Sequence, residues 1–254
     1  MTDTRTQYWS FMLGGMVDVP LPLSYADLLA MPAIEIECAI LHTGRSLNGP
    51  SMHQACWRGV PVAALLDDVS IQPGAHYAHL HAANGYATSI EQQALRRAIL
   101  AYEMDGEALT IEYGSPVRLI VPGLYGYKMP RHVQRILLAS EPLLGTWEKR
   151  GWSVSGQVQV TAHFASPQNR SHITDTVTLR GVAFAGERAV AQVELSVDDG
   201  PWMPTPFTQS SPYTFAQWSI DWKPSLPGDH KLAVRAADSD GNIQSNVQTI
   251  FVRS

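Results

Sequence analysis

Residues 34–62 read IEIECAILHTGRSLNGPSMHQACWRGVPV and hold both cysteines of the chain, Cys38 and Cys56. Ile34, Ile36 and Cys38 alternate with Glu35 and Glu37, the period-two signature of a strand with one face toward a core. From Gly44 to Ser51, Gly, Asn, Pro and Ser break the apolar pattern and predict a loop. Cys38 is therefore expected where a strand hands over to a loop, its thiol presented to a pocket. The opposing reading is a buried structural thiol, because free cysteine is among the most buried residue types. His42, Arg45 and His53 lie between the cysteines. The spacing of Cys38, His42 and His53 fits no standard zinc pattern, and hydrogen-bonded loop histidines are the simpler reading.

Working outward, Trp9, Phe11 and Leu13 alternate into Gly14-Gly15 as a short strand and turn. Ser24 with Asp27 three residues later resembles a capping box opening a short helix that Pro32 closes. Val60–Val69 and Glu91–Tyr102 have helical spacing, the second through Ala94, Leu95, Ala98 and Ile99. His76–His81 alternates as a strand, Asn84-Gly85 and Asp105-Gly106 are turns, and Val117–Val121 is a short apolar strand. The loop Leu124–His132 then carries Lys128, Arg131 and His132, with Arg135 just beyond. A basic cluster in an acidic chain points to an anionic ligand, with a solvated surface loop as the alternative.

The 254 residues carry a formal net charge of -5, 45% hydrophobic and 16% charged residues. That describes a globular protein and argues against a nucleic-acid partner, which would require a basic surface. The two cysteines are too few for a disulfide framework, and there is no CxxC, HExxH or glycine-rich phosphate loop. No CxxCH haem-attachment pattern occurs either. The N-terminus has no uninterrupted apolar segment after a basic region, so neither a signal peptide nor a membrane span is expected, and the chain would be cytoplasmic as written.

After Trp147 the texture changes. Val158–Thr161, Val177–Ala183, Val190–Val197, Trp218–Trp222 and Leu232–Ala236 read as short strands separated by Gly, Pro and Asp-Gly turns. Such punctuation predicts an all-β sandwich of immunoglobulin size.

Several pieces, in order, carry a resemblance: a cysteine after a strand, W-x-G-V-P (Trp57–Pro61) and G-Y-x-x-S (Gly85–Ser89). LAYEMDGEAL (Leu100–Leu109), GSPVRLIVPGLYGYK (Gly114–Lys128) and VTLRGVAFAGERAVAQVELSVDDGPW (Val177–Trp202) follow. Together they resemble the sulfite oxidase family of molybdenum enzymes. The resemblance implies an α+β chain: a mixed α/β molybdopterin-binding domain over residues 1–152, then an all-β immunoglobulin-like sandwich over 153–254 that forms a homodimer contact. It also implies oxygen-atom transfer to or from a small oxyanion such as sulfite. The alternatives are a methionine-sulfoxide-type reductase on the same scaffold and a cofactor-free interaction scaffold.

By the same resemblance Cys38 is the molybdenum ligand, a soft thiolate suited to a redox metal that also carries pterin sulfur. Cys56 is a structural thiol. Tyr86 and Arg45 are the catalytic candidates, and Arg118, Lys128, Arg131 and His132 the cofactor-binding ones, cations that suit a pterin phosphate. The implied partners are an oxyanion or sulfoxide substrate and a separate electron-transfer protein or membrane haem subunit. The chain departs from the family pattern in having Ala39-Ile-Leu-His42 after the cysteine, Tyr113 in place of a histidine, and Arg131-His132 in place of Lys-Trp.

Overall fold

The computed structural model describes residues 4–42 and 51–254. They divide into two compact units, the first ending at Gln157 and the second starting at Val158. The first unit contains β1 (Ser10–Gly15), β2 (Leu21–Ser24), β3 (Ile34–His42), β4 (Ser51–Pro61), β5 (Tyr77–Ala82), β6 (Ala87–Glu91), β7 (Ile99–Met104), β8 (Glu107–Ala108), β9 (Arg118–Ile120) and β10 (Val133–Ala139). One sheet runs β2-β1-β10-β5-β6; the other runs β3-β4-β7-β8, with β9 also on β7. Side chains of both sheets meet in one core: Phe11, Leu13, Leu80 and Ile136 from the first, Trp57, Leu100 and Leu119 from the second.

Helix is scarce. α1 (Thr4–Tyr8), α2 (Tyr25–Ala30), α3 (Val62–Asp67) and α4 (Gln92–Leu95) are each four to six residues long. The first unit is thus more β-rich than the expected α+β architecture. Among the described residues no helix is long and apolar enough to cross a membrane. α2 has the anticipated capping box, with Asp27 N–H donating to the Ser24 hydroxyl and Ser24 N–H to the Asp27 carboxylate. The helix expected over Glu91–Tyr102 is present only as α4, after which the chain becomes β7. Ile99–Tyr102 are buried on both strand faces, between β4 on one side and β8 and β9 on the other. A strand buried on both faces is continuously apolar, and periodicity alone cannot tell it from a helix. The helix expected from Val60 starts at Val62 for the same reason, since Val60 and Pro61 pair with β7.

Residues 153–157 stay with the first unit through backbone contacts. Tyr127 donates its hydroxyl to the Ser153 carbonyl at 2.7 Å, Tyr125 N–H donates to Gly156 O, and Leu124 bridges Gln157. The second unit contains β11 (Thr161–Ser166), β12 (Val177–Phe184), β13 (Val190–Val197), β14 (Met203–Pro204), β15 (Phe207–Thr208), β16 (Ala216–Trp222), β17 (Asp229–Asp238) and β18 (Gln248–Arg253). They form two antiparallel sheets, β11-β12-β16-β15 and β14-β13-β17-β18. Leu179 and Trp218 from one sheet share a core with Val193, Val234 and Val252 from the other, the face-to-face packing of a sandwich. The strand expected over Val158–Thr161 begins only at Thr161, and β18 carries too little alternation to be read from sequence.

Candidate active site

β3 continues four residues past Cys38, pairing antiparallel with β4 so that Cys38 faces Ala55 and His42 faces Ser51. The expected handover to a loop at Cys38 is therefore corrected. Ala39, Ile40 and Leu41 are buried and extend the strand, and their unbroken apolarity hides the period of two. Cys38 is itself fully buried, its thiol donating to the Ala39 carbonyl at 3.5 Å. Burial pushes the thiol up to about 12, and the Arg118 guanidinium only partly opposes this. Since the thiolate is the reactive form, iodoacetamide at pH 8 is expected to modify the partly exposed Cys56 first. Cys38 should label only after unfolding, and mass spectrometry showing equal native rates would contradict the burial.

On a strand, residues two apart share a face, so Cys38, Ile40 and His42 point the same way. His42 reaches a cavity of about 440 Å³ that Asn84, Tyr86, Arg118, Met129 and Arg131 also line. Its ring crosses the backbone of Gly126, where a Cβ would lie 2.4 Å from His42 Cε1, so this position needs glycine. Burial and the nearby charges of Arg118, Arg131 and His53 lower His42 to about 4, leaving a neutral imidazole at pH 7. His42 and His53 were expected in a loop. Both lie on strands, and His53 stacks on Tyr113 at 5.6 Å with its buried Nε2 lacking a partner among the described residues.

Arg118, at the start of β9, is 2% exposed and lies over the Trp57 ring at 5.3 Å. Its Nε is buried and has no hydrogen-bond partner among the described residues. Burial first, then the Arg131 charge, lowers the guanidinium to about 10. Tyr86 follows the Asn84-Gly85 turn and donates its hydroxyl to the Tyr127 carbonyl at 2.5 Å. Burial, with the Glu148 and Tyr127 charges, raises this phenol, so it remains a donor.

The basic cluster read from Lys128 to Arg135 does not act as a unit. Only Arg131 lines the cavity. Lys128 is fully buried, its ammonium donating to Glu148 Oε1 at 2.5 Å and to the Ser89 carbonyl at 2.7 Å. A neighbouring carboxylate thus takes the charge that was expected to meet a cofactor phosphate, and Glu148 lies too far along the chain to be foreseen as its partner. His132 points its Nδ1 at the Ser115 carbonyl, 2.6 Å away, and Arg135 sits on β10 opposite His81. Arg45 lies outside the described residues.

Sequence reasoning missed the remaining wall. Trp147 and Trp152 line the cavity with Tyr127 and Pro130. The Trp147 and Trp152 rings stack at 4.5 Å, and Tyr127 meets Trp152 edge-on at 5.0 Å. The only signal was two tryptophans within the six residues Trp147–Trp152, directly before the expected domain boundary after Trp152. A buried guanidinium with an orphaned Nε and a second arginine fit the anionic group of a phosphate-bearing cofactor.

Residues 1–147 match the family described as the oxidoreductase molybdopterin binding domain. The chain is 31% identical over 150 residues to the uncharacterized oxidoreductase YuiH of Bacillus subtilis (58% of this chain, 74% of that one). It is 29% identical to mitochondrial sulfite oxidase of Mus musculus (58% and 32%), and 24% identical to NADH nitrate reductase of Lotus japonicus (94% and 34%). The chain thus spans about a third of the length of those two enzymes. Its fold superposes on the sulfane dehydrogenase SoxCD of Paracoccus pantotrophus with a TM-score of 0.85, covering 98% of this chain and 76% of that one at 22% identity. With the family match covering more than half of its length, this chain belongs to the molybdopterin-binding oxidoreductases of the sulfite oxidase family and is a molybdenum-dependent oxidoreductase.

Proposed function

We propose that this enzyme transfers an oxygen atom to a small sulfur oxyanion such as sulfite, using a molybdenum–molybdopterin cofactor. The observation that carries the reading is Arg118. A buried cation without a counter-charge is costly, and an anion placed beside its orphaned Nε would offset that cost. Arg118 and Arg131 would hold the pterin phosphate, with the Asn84 amide as a neutral donor along the same cavity and the Tyr86 phenol, its proton given to the Tyr127 carbonyl, offering its oxygen as an acceptor. When bound, the cofactor supplies two-electron redox chemistry. Cys38 would ligate the metal: it shares a strand face with cavity-lining His42, and metal coordination deprotonates a thiol that burial alone keeps neutral. Neutral His42 adds a hydrogen-bonding group without adding charge to an already cationic site. Trp147 and Trp152 exclude water from one side.

Within this reading the first unit, through Gln157, is the cofactor domain. Residues 158–254 are an immunoglobulin-like domain suited to homodimer contact, supported by their two-sheet sandwich. Electrons leave singly to a separate electron-transfer protein or a membrane haem subunit. The names of two relatives, a sulfite oxidase and a sulfane dehydrogenase, support sulfur chemistry.

The test is molybdenum and pterin content per chain after expression in a host that makes the cofactor, for wild type and Cys38→Ser. Wild type is expected to carry both in near-stoichiometric amounts and to oxidise sulfite with ferricyanide. Cys38→Ser should keep pterin, change the metal's spectrum and lose at least about a hundredfold in turnover, since even outer-shell changes cost 10–100-fold. Folded wild type without cofactor would overturn the proposal. Preferential sulfoxide reduction with a reduced dye would reverse its direction.

A further inference from the structure

Resting on that reading, we infer that the substrate carries a planar apolar group on its oxidisable sulfur, as in an aryl sulfinate, the organic counterpart of sulfite. The cavity is polarised. Arg118 at 2% exposure is its buried cationic part, whereas Trp147 and Trp152 are half-buried and form an aromatic part.

That aromatic part is preorganised. Trp147 and Trp152 stack at 4.5 Å with 28° between their planes, Tyr127 abuts Trp152, and the Arg150 guanidinium lies 5.2 Å from the Trp147 ring centre. The wall is pinned at both ends: Glu148, next to Trp147, is tied to buried Lys128, and the Tyr127 hydroxyl holds the carbonyl of Ser153, next to Trp152. Bare sulfite is small and strongly hydrated and gains nothing from stacked indoles. An arene buries apolar area against them and adds ring–ring attraction, while its sulfinate group keeps the sulfur lone pair to which the oxygen is delivered. In the reaction the sulfinate sulfur gains one S–O bond to an oxygen derived from water. Two electrons pass to two equivalents of a one-electron acceptor, two protons go to solvent, and the carbon–sulfur bond stays intact.

The experiment compares benzenesulfinate with methanesulfinate on the purified holoprotein, with ferricyanide as acceptor and metal and pterin content measured on the same samples. Benzenesulfinate should have at least about a tenfold higher kcat/KM, the range one hydrophobic pocket supplies, and should quench tryptophan fluorescence saturably where methanesulfinate does not. Trp152→Leu should collapse the ratio toward one, and Trp152→Phe should restore it. A ratio near one together with absent quenching, in metal-loaded protein that oxidises sulfite, overturns this inference and leaves the proposed function standing. Saturable quenching in protein that binds no metal supports the aromatic site and overturns the proposed function. Absence of both metal and quenching overturns both.

Discussion

Glu148→Ala is expected to destabilise the first unit by about 3–5 kcal/mol, because it leaves a buried ammonium with no counter-charge. Lys128 and Glu148 both have fully buried side chains. Thr88 donates its hydroxyl to Glu148 Oε1 and accepts from the Lys128 ammonium, so the three groups form one closed network. Burial opposes the charge on Glu148, yet the bonds from Lys128 and Thr88 hold the carboxyl below its ordinary value of 4.5. A carboxylate whose folded value is depressed adds stability above its unfolded value. That contribution disappears as pH falls through the folded value, so the wild-type advantage over Glu148→Ala should shrink below about pH 4.5. Urea unfolding at pH 7 and pH 4 measures both effects. The double replacement Lys128→Met with Glu148→Met should recover much of the loss, since apolar groups of similar size often substitute for a buried pair at little cost. A single-variant loss under about 1 kcal/mol would show that water reaches the pair. The pair also matters to the cavity, because Gly156 presses on the Lys128 stem, where a Cβ would lie 2.4 Å from Cγ. Releasing Lys128 therefore loosens the segment that carries Trp152.

Arg118→Met should act with opposite signs on fold and function. In protein without cofactor it is expected to be neutral or stabilising by about 1–4 kcal/mol, since it exchanges a buried guanidinium, whose Nε has no hydrogen-bond partner among the described residues, for an apolar chain against Trp57. Pterin retention and sulfite turnover should instead fall by at least a factor of about 100, the loss expected when a charge-assisted contact worth roughly 3 kcal/mol disappears. Thermal unfolding of cofactor-free protein and pterin content after expression separate the two. If the variant destabilised the cofactor-free protein and retained full pterin, Arg118 would be a structural cation and the anion site would lie elsewhere.

How much of this was legible varies by element. β1, β5, β12 and β13 follow from alternation because each has one buried and one more exposed face, and α2 follows from its capping box. β7 was misread as helix and β3 was read too short, since both have stretches buried on either side and lose their period there. Among the candidate site residues, Tyr86, Arg118 and Arg131 converge on one cavity, while Cys38, Lys128 and His132 do not line it. Local sequence shows that a residue is basic; it does not show whether a distant carboxylate folds back to neutralise it.

Motif order along the chain was enough to determine the family and with it the expected cofactor, because a run of short segments at consistent spacing specifies one scaffold. Alternation and turn residues determined that residues after Trp147 would be β-rich. Only the tertiary structure decided which cations stay available, pairing Lys128 with Glu148 while leaving Arg118 Nε without a partner among the described residues. Likewise it alone placed Trp147 and Trp152 beside Tyr127 and His42 on one cavity. Charge availability and cavity shape depend on contacts between segments far apart in sequence, and no local pattern encodes those distances.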